Sequence, residues 1–169
     1  MAKLLLFGYG NPGRGDDALG PELIARIERM QLAGVDCQND MQLQVEHVTD
    51  LNGCDLALFI DADESCAGPF EFSEIAAVRD YSYTSHAMNP AALLHAYREV
   101  YGIDAPSAFL LRIRGYGFGL GDPLTDSAAN NLESATRLVV ELSQSVSLLL
   151  WRKKLGTSCQ VNTNFQVIQ

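Results

Sequence analysis

The 169-residue sequence has little positive charge and no long apolar run. Its 12 lysines and arginines face 21 aspartates and glutamates, which gives a formal net charge of −9. Because so acidic a chain repels polyanions, we expect it to bind neither nucleic acid nor an anionic membrane. No apolar stretch approaches the roughly 18 residues of a membrane-spanning helix. The N-terminus has the pattern of a buried strand followed by a glycine turn, which is not that of a signal peptide.

Cysteine is also sparse, and its spacing excludes the common metal motifs. The four cysteines form no CxxC pair and have no histidine close by; they are Cys37, Cys54, Cys66 and Cys159. Buried, reduced thiols are the expected interpretation, with a disulfide or a zinc site as the alternatives. Reduced thiols predict a cytoplasmic protein. No sequence feature signals an interface, so we expect a monomer.

What the sequence does contain is an alternation of apolar runs with segments of helical periodicity. Strands are predicted over residues 3–7, 35–38, 56–63 and 108–115, with a short edge strand over 70–75. Residues 41–48 alternate like a strand but could also open a short helix. The alternation predicts an α/β protein with a mostly parallel sheet of about five strands.

Three helices are predicted between these strands. One begins near Leu19, and one follows the N-cap pair Asn89-Pro90 with Val100 facing inward. A long one runs from about Thr125, with Leu150 on its apolar face and Lys153 and Lys154 near its end. Helices on both faces of the sheet make a single-domain, three-layer sandwich over residues 1–155. Residues 156–169 have no usable pattern and are predicted to form a loose tail.

A glycine-rich segment, GYGNPG over residues 8–13, follows the first predicted strand. It matches the GxGxxG pattern of dinucleotide-binding loops, whose backbone amides hold a pyrophosphate. Here, however, Pro12 removes one amide, and Asp16 and Asp17 add negative charge where the phosphate would lie. The two acids could instead stabilise a helix start, or they could present a carboxylate to a cation.

Two further polar residues are expected at the same edge of the sheet. Ligands of parallel sheets bind at the carboxyl ends of strands, which selects the loops after residues 7, 61 and 80. Asp61 ends a buried strand, and His86 precedes a helix start. Asp17, Asp61 and His86 would make an open site for a divalent ion such as nickel or zinc. Because a lone histidine is often structural, both interpretations stay open at this point.

Three segments together resemble the hydrogenase maturation proteases, the endopeptidases of nickel–iron hydrogenase assembly. They are GYGNPGRGDDALGP (residues 8–21), FIDAD (59–63) and SHAMNP (85–90), and matches of the same kind run in order across roughly residues 3–150. The resemblance implies an α/β sandwich. It also implies that Asp17, Asp61 and His86 contact a metal and carry catalysis, with Asp16 capping the helix or orienting Asp17.

The resemblance further implies the reaction and the partner. Such an enzyme removes a C-terminal extension from the hydrogenase large-subunit precursor once nickel has been inserted, so the nickel comes with the substrate and no permanently bound cofactor is expected. Either aspartate could also act as the general base of this aspartyl-type, metal-guided hydrolysis. Ser85 adjoins His86, but neighbours in sequence seldom form a nucleophile–base pair.

The sequence departs from the family pattern at two places. Ala18 stands where the family usually has glycine after its acidic pair, and DMQLQVEHV (residues 40–48) replaces a Gly-Gly-Thr segment. The second variant resembles the subgroup that serves NAD-linked, bidirectional hydrogenases, which makes Gln42 and Glu46 candidates for substrate selection. Two alternatives remain: a nucleotide-dependent enzyme using the glycine loop, and a metal-dependent chaperone that holds the large subunit without cutting it.

Overall fold

The computed structural model describes residues 1–79 and 88–156. The strands are β1 (Leu4–Tyr9), β2 (Val35–Asp40), β3 (Leu56–Asp63), β4 (Phe70–Ile75) and β5 (Ser107–Arg114). The α-helices are α1 (Leu19–Met30), α2 (Pro90–Tyr101), α3 (Asp126–Gln144) and α4 (Leu148–Lys153), and short 3-10 helices cover Gly15–Ala18 and Val45–Thr49. Every strand predicted from the sequence is therefore present.

The strands form one sheet in the order β2-β1-β3-β5-β4. The pairs β1–β2, β1–β3 and β3–β5 are parallel, and only β4, at the edge, runs antiparallel to its neighbour. This arrangement confirms the predicted α/β class and the mostly parallel sheet. It also sets the carboxyl ends of β1 and β3 side by side at one edge.

Each face of the sheet is covered by its own apolar layer. Alternate residues along β1 and β3 pack against α1, α3 and α4 on one face, and the residues between them pack against α2 and the 3-10 helix at Val45–Thr49. In β3, Ala57 and Phe59 belong to this second face. Because side chains alternate along a strand, Asp61 and Asp63 extend the second face beyond the core.

The last predicted helix is wrong in its extent. It ends at Gln144, and α4 follows as a separate helix in which Leu149 and Leu150 are 66% and 43% exposed. The indole Nε1 of the buried Trp151 donates to the carbonyl oxygens of Leu142 (3.2 Å) and Ser145 (3.0 Å). The chain therefore turns back so that the tryptophan packs on the sheet.

The structure also decides two smaller expectations from the sequence. The ambiguous segment forms the 3-10 helix at Val45–Thr49 and not a strand, and Val100, expected to face inward, is 60% exposed. Cys66 is buried and Cys37 and Cys54 are half-buried free thiols, while Cys159 lies outside the described residues. The predicted tail also lies outside them from residue 157 onward. Along residues 1–79 and 88–156, no helix has the length and apolar character needed to cross a membrane.

Candidate functional site

The carboxyl ends of β1 and β3 carry the polar side chains of the candidate site. The two strands pair in parallel up to Gly8 and Ile60, so the residues that follow lie at a common edge. There the hydroxyl of Tyr9 donates a hydrogen bond to the carboxylate of Asp61. The loops after residues 7 and 61 therefore converge, as the parallel sheet predicted; the loop after residue 80 lies outside the described residues.

Asp17 reaches this edge because the chain folds back tightly over Gly10. Gly10 has a φ of +145°, and a Cβ atom there would lie 2.0 Å from the carbonyl oxygen of Asp17. The amide of Asn11 donates to Asp17 Oδ2 at 2.7 Å. One carboxylate oxygen is thus held by the loop backbone, which fixes the direction of the side chain.

The glycine loop has no amide available for a phosphate. Every non-proline amide of residues 10–17 already donates within the protein: Gly10 to Asp40 O, Asn11 to Asp17 Oδ2, Gly13 to Asn11 Oδ1, Arg14 to Asn11 O, Gly15 to Asp122 O, Asp16 to Gly117 O and Asp17 to Arg14 O. A pyrophosphate loop needs several such amides directed at its ligand. The geometry therefore disfavours the nucleotide-dependent alternative.

Asp61 has a strongly perturbed carboxyl group. Burial raises its pKa to about 7, and the nearby charges of Asp17 and Asp63 act in the same direction. The Ala62 amide and the Tyr9 hydroxyl donate to the carboxylate and only partly offset this rise. A carboxyl group that titrates near neutrality can take up and release a proton under physiological conditions.

The raised pKa of Asp61 predicts a pH-dependent stability. The folded protein holds the proton over a range in which the unfolded chain has lost it, so stability falls as the pH rises from about 4 to about 7. Asp61→Asn removes this loss. We expect the free energy of unfolding of the variant to match that of the wild type at pH 4.5 and to exceed it by about 1–2 kcal/mol at pH 8. The difference is no larger because water screens the partly exposed carboxyl. Urea unfolding at the two pH values measures the difference.

Asp63 provides the matched control for this prediction. Burial alone would raise its pKa, but hydrogen bonds from Ser65 and Arg112 lower it below the usual value. Asp63→Asn is therefore expected to lower the free energy of unfolding at pH 8, and to lower it by the same amount at pH 6. If the difference in unfolding free energy between the wild type and Asp61→Asn is the same at pH 8 as at pH 4.5, the assigned pKa of Asp61 is wrong.

Arg112 neutralises the carboxylates that flank the site. It lies on β5, between β3 and β4, where its guanidinium donates to Asp63 Oδ2 at 2.9 Å and also to Glu71. Asp63 Oδ1 in turn accepts from the amide and the hydroxyl of Ser65 at 2.7 and 2.6 Å. Asp17 and Asp61 have no such cationic partner in the described part of the chain.

Asp16 has a different role from the two predicted for it. Its carboxylate is fully buried and accepts from the amides of Tyr116 (2.7 Å), Gly117 (3.0 Å) and Thr125 (2.7 Å), and from the Thr125 hydroxyl (2.8 Å). Two of the bonds come from Thr125, the N-cap of the distant helix α3, and none involves Asp17 or the helix that follows Asp16. Burial opposes its charge, but the hydrogen bonds lower its pKa below the usual value. Asp16 therefore fastens the loop of residues 115–125 to the glycine loop.

The two fastened loops and the end of β3 enclose a cleft of about 410 Å³. The residues that line it are Arg14, Asp17, Ala62, Asp63, Glu64 and Phe118. Gly121 also donates to the carbonyl of Gly13 at 2.8 Å, which holds the far side of the cleft. A cleft of this size beside an oriented carboxylate has room for an extended segment of a substrate.

Several solved structures share this architecture. HycI, a [NiFe] hydrogenase maturation protease from Thermococcus kodakarensis, superposes with a TM-score of 0.66 at 20% identity over 85% of this chain and 94% of its own. The hydrogenase maturating endopeptidase HybD from E. coli gives 0.64 at 19% identity, over 84% and 93%. The hydrogenase 2 maturation peptidase of a Thaumarchaeota archaeon gives 0.60 at 20%, over 82% and 96%.

The chain has the fold of the hydrogenase maturation proteases. By sequence it matches no protein-family model and no curated protein. The predicted resemblance is thus confirmed at the level of the fold. The NAD-linked subgroup stays a prediction, and Gln42 and Glu46, its candidate selection residues, are exposed.

On this maturation-protease fold, the predicted site is only partly within the described residues. Asp17 and Asp61 lie at the same edge of the sheet, close enough for the Asp17 charge to affect the pKa of Asp61. His86 lies outside the described residues. Within residues 1–79 and 88–156, no group of three histidine, cysteine, aspartate or glutamate side chains is placed to hold a metal. The metal role of the three residues stays a prediction.

Sequence reasoning missed three residues of the site. Tyr9 and Arg14 stand inside the quoted glycine segment, but nothing in the pattern showed that one would contact Asp61 and the other would line the cleft. Phe118 lies in the glycine-rich segment GYGFGLGD (residues 115–122), whose composition indicates a loop. Its position opposite Asp17 depends on the buried Asp16 and has no local signal.

Proposed function

We propose that the protein is an endopeptidase that removes the C-terminal extension of a nickel–iron hydrogenase large-subunit precursor after nickel insertion. The observation that carries the proposal is a pair of carboxylates, Asp17 and Asp61, at the carboxyl edge of a maturation-protease fold. The fold neighbours are named as hydrogenase maturation proteases or endopeptidases. The finer proposal is a cytoplasmic monomer that serves an NAD-linked hydrogenase.

The donor set suits recognition of a metal that arrives with the substrate. Asp17 has one oxygen held by the Asn11 amide, which leaves Oδ1 for a cation, and Asp61 adds a second carboxylate. His86 would supply an imidazole, a ligand suited to nickel. So few ligands favour docking onto a precursor's nickel centre over holding an ion permanently. Docking would fix the scissile bond beside these residues.

The same residues account for hydrolysis. With its pKa near 7, Asp61 can accept a proton from the attacking water and return it to the leaving nitrogen. The hydrogen bond from Tyr9 lowers the pKa of Asp61 and so favours the charged carboxylate, the form that accepts a proton. Asp17 lies on the cleft and stays available to the nickel of the substrate. No acyl-enzyme is needed in this scheme, because water attacks directly.

The test is incubation of the purified protein with nickel-loaded and nickel-free large-subunit precursor. We expect mass spectrometry to show loss of a short C-terminal peptide only with nickel. Asp17→Asn and Asp61→Asn should each reduce cleavage at least ~10³-fold, because each removes an acid that acts on the reacting groups. Asp104→Asn, which alters an exposed acid paired with Arg98 after α2, should cleave at the wild-type rate.

Two outcomes would reject the proposal in different ways. A precursor that stays intact under all conditions while binding the protein in a nickel-dependent complex would indicate the non-cleaving chaperone. Cleavage that proceeds equally well in Asp17→Asn and Asp61→Asn would place the reaction elsewhere in the chain.

A further inference from the structure

Arg14 is an exposed residue that is anchored beside the cleft, just before the 3-10 helix at Gly15–Ala18. Its amide donates to Asn11 O at 3.1 Å, its carbonyl accepts from the Asp17 amide at 3.1 Å, and its Nε donates to Phe118 O at 2.9 Å. These contacts hold the backbone and the Nε atom of Arg14 against the two loops that form the cleft. The remaining donors of the guanidinium are on its two terminal nitrogens.

Those terminal donors are not used by any carboxylate in the described part of the chain. Asp17, Asp63 and Glu64 line the same cleft as Arg14, yet residues 1–79 and 88–156 contain no ion pair that includes Arg14. Arg112, in contrast, is held by Asp63 and Glu71. Arg14 is therefore the cation of the cleft that can receive a ligand.

Hydrolysis of a peptide in this cleft would be assisted by such a cation. Attack on a carbonyl carbon transfers negative charge to the carbonyl oxygen, and that charge must be stabilised by donors. The amides of residues 10–17 are all occupied, so the loop cannot supply them. The other charged residues on the cleft are acids, which would repel the oxyanion.

We propose that Arg14 is a further catalytic residue, which binds the carbonyl oxygen of the scissile peptide and stabilises the oxyanion that forms there. This inference rests on the proposed endopeptidase function. The guanidinium acts through its positive charge and its N–H donors and takes no part in proton transfer.

Hydrolysis proceeds by addition of water to the carbonyl group and departure of the leaving nitrogen. A water oxygen adds to the carbonyl carbon, the π pair of the C=O bond moves to the oxygen bound by Arg14, and a water proton passes to a site carboxylate. When the C–N bond breaks, the oxygen lone pair re-forms the carbonyl group. The leaving nitrogen takes the proton from the carboxylate, which gives a new C-terminal acid and a free peptide amine.

The experiment measures kcat and KM for cleavage of the nickel-loaded precursor by the wild type, Arg14→Gln and Arg14→Lys. We expect Arg14→Gln to lower kcat by ~10²–10³-fold while KM stays within about threefold, as for loss of one oxyanion donor. Arg14→Lys should retain more activity than Arg14→Gln because it keeps the charge. Arg98→Gln, an exposed arginine paired with Asp104, is the matched control and should match the wild type.

Each contrary outcome rejects a defined part of the argument. A wild type that leaves the precursor intact rejects the proposed function and this inference with it. If the wild type cleaves, an unchanged kcat in Arg14→Gln, or a raised KM alone, overturns only the oxyanion role. If Arg14→Lys is no faster than Arg14→Gln, the positive charge of Arg14 is not what stabilises the oxyanion. Urea unfolding midpoints equal to wild type show that the variants are folded.

Discussion

Asp16→Asn is expected to lower the free energy of unfolding by about 3 kcal/mol at pH 7, because buried hydrogen bonds to a charged acceptor are worth about 1.5–3 kcal/mol each. The wild-type carboxylate accepts four hydrogen bonds, from Tyr116, Gly117 and Thr125, and is fully buried. An asparagine amide group has one acceptor oxygen in place of two. Its NH₂ group would face backbone amides that also donate, which leaves buried donors without a partner.

Urea unfolding measures this loss, and Asp126→Asn is the matched control. Asp126→Asn removes the same charge at an exposed position in the first turn of α3, so it is expected to change the free energy of unfolding by less than about 1 kcal/mol. The difference between Asp16→Asn and the wild type should shrink as the pH falls below about 4. The hydrogen bonds lower the pKa of Asp16, so its contribution is present above the unfolded value and is lost under acid conditions.

An equal, small effect of the two asparagine substitutions would mean that Asp16 does not fasten the loops. Cleavage activity is a second measurement on the same variant. Because Asp16 holds residues 116–125, releasing them should also displace Phe118, which lines the cleft. Activity lost without loss of stability would place Asp16 among the residues that act on substrate.

The sheet could be predicted from the sequence because its signals are local. In β3, a continuous apolar run leads to an acid, and parallel strands buried on both faces require such a run. The edge strand β4 was also predicted, as a short segment of alternating polarity. The antiparallel direction of β4 follows from its pairing with β5 and has no signature in its own residues.

Elements decided by distant contacts were not predicted. Residues 125–150 keep a helical apolar period, but the break after Gln144 lets Trp151 pack against Phe72 and Phe109 with ring centroids 6.2 and 5.1 Å away. Burial of one tryptophan outweighs the few tenths of a kcal/mol per residue that favour continuing the helix. Periodicity alone cannot show this competition.

The candidate site shows the same division between local and distant information. The positions of Asp17 and Asp61 at the ends of strands follow from the sequence and the resemblance. The role of Asp16 does not, because its hydrogen-bond partners lie about a hundred residues later in the chain. The availability of Arg14 likewise depends on Arg112, from another strand, being the partner of Asp63.

Gly10→Ala is expected to reduce precursor cleavage at least ~100-fold and to destabilise the protein by about 2 kcal/mol. The backbone at Gly10 has a φ of +145°, which is strained for any residue with a side chain. The new Cβ would lie 2.0 Å from the Asp17 carbonyl oxygen and 3.2 Å from Asp17 Oδ1. The turn must therefore open, and a displacement of about 1 Å at a reacting group costs ~100-fold in rate.

Gly13→Ala, in the same loop, is the matched control. Its Cβ would meet only Asn11 Oδ1, at 3.3 Å, and a side-chain atom can move aside where a backbone carbonyl cannot. We expect this variant to keep wild-type stability within about 0.5 kcal/mol and to cleave the precursor normally. If the two alanine variants lose activity equally, the loop as a whole binds substrate. If neither loses activity, close packing of Asp17 over Gly10 is not what places the carboxylate, and the site geometry argued from it is wrong.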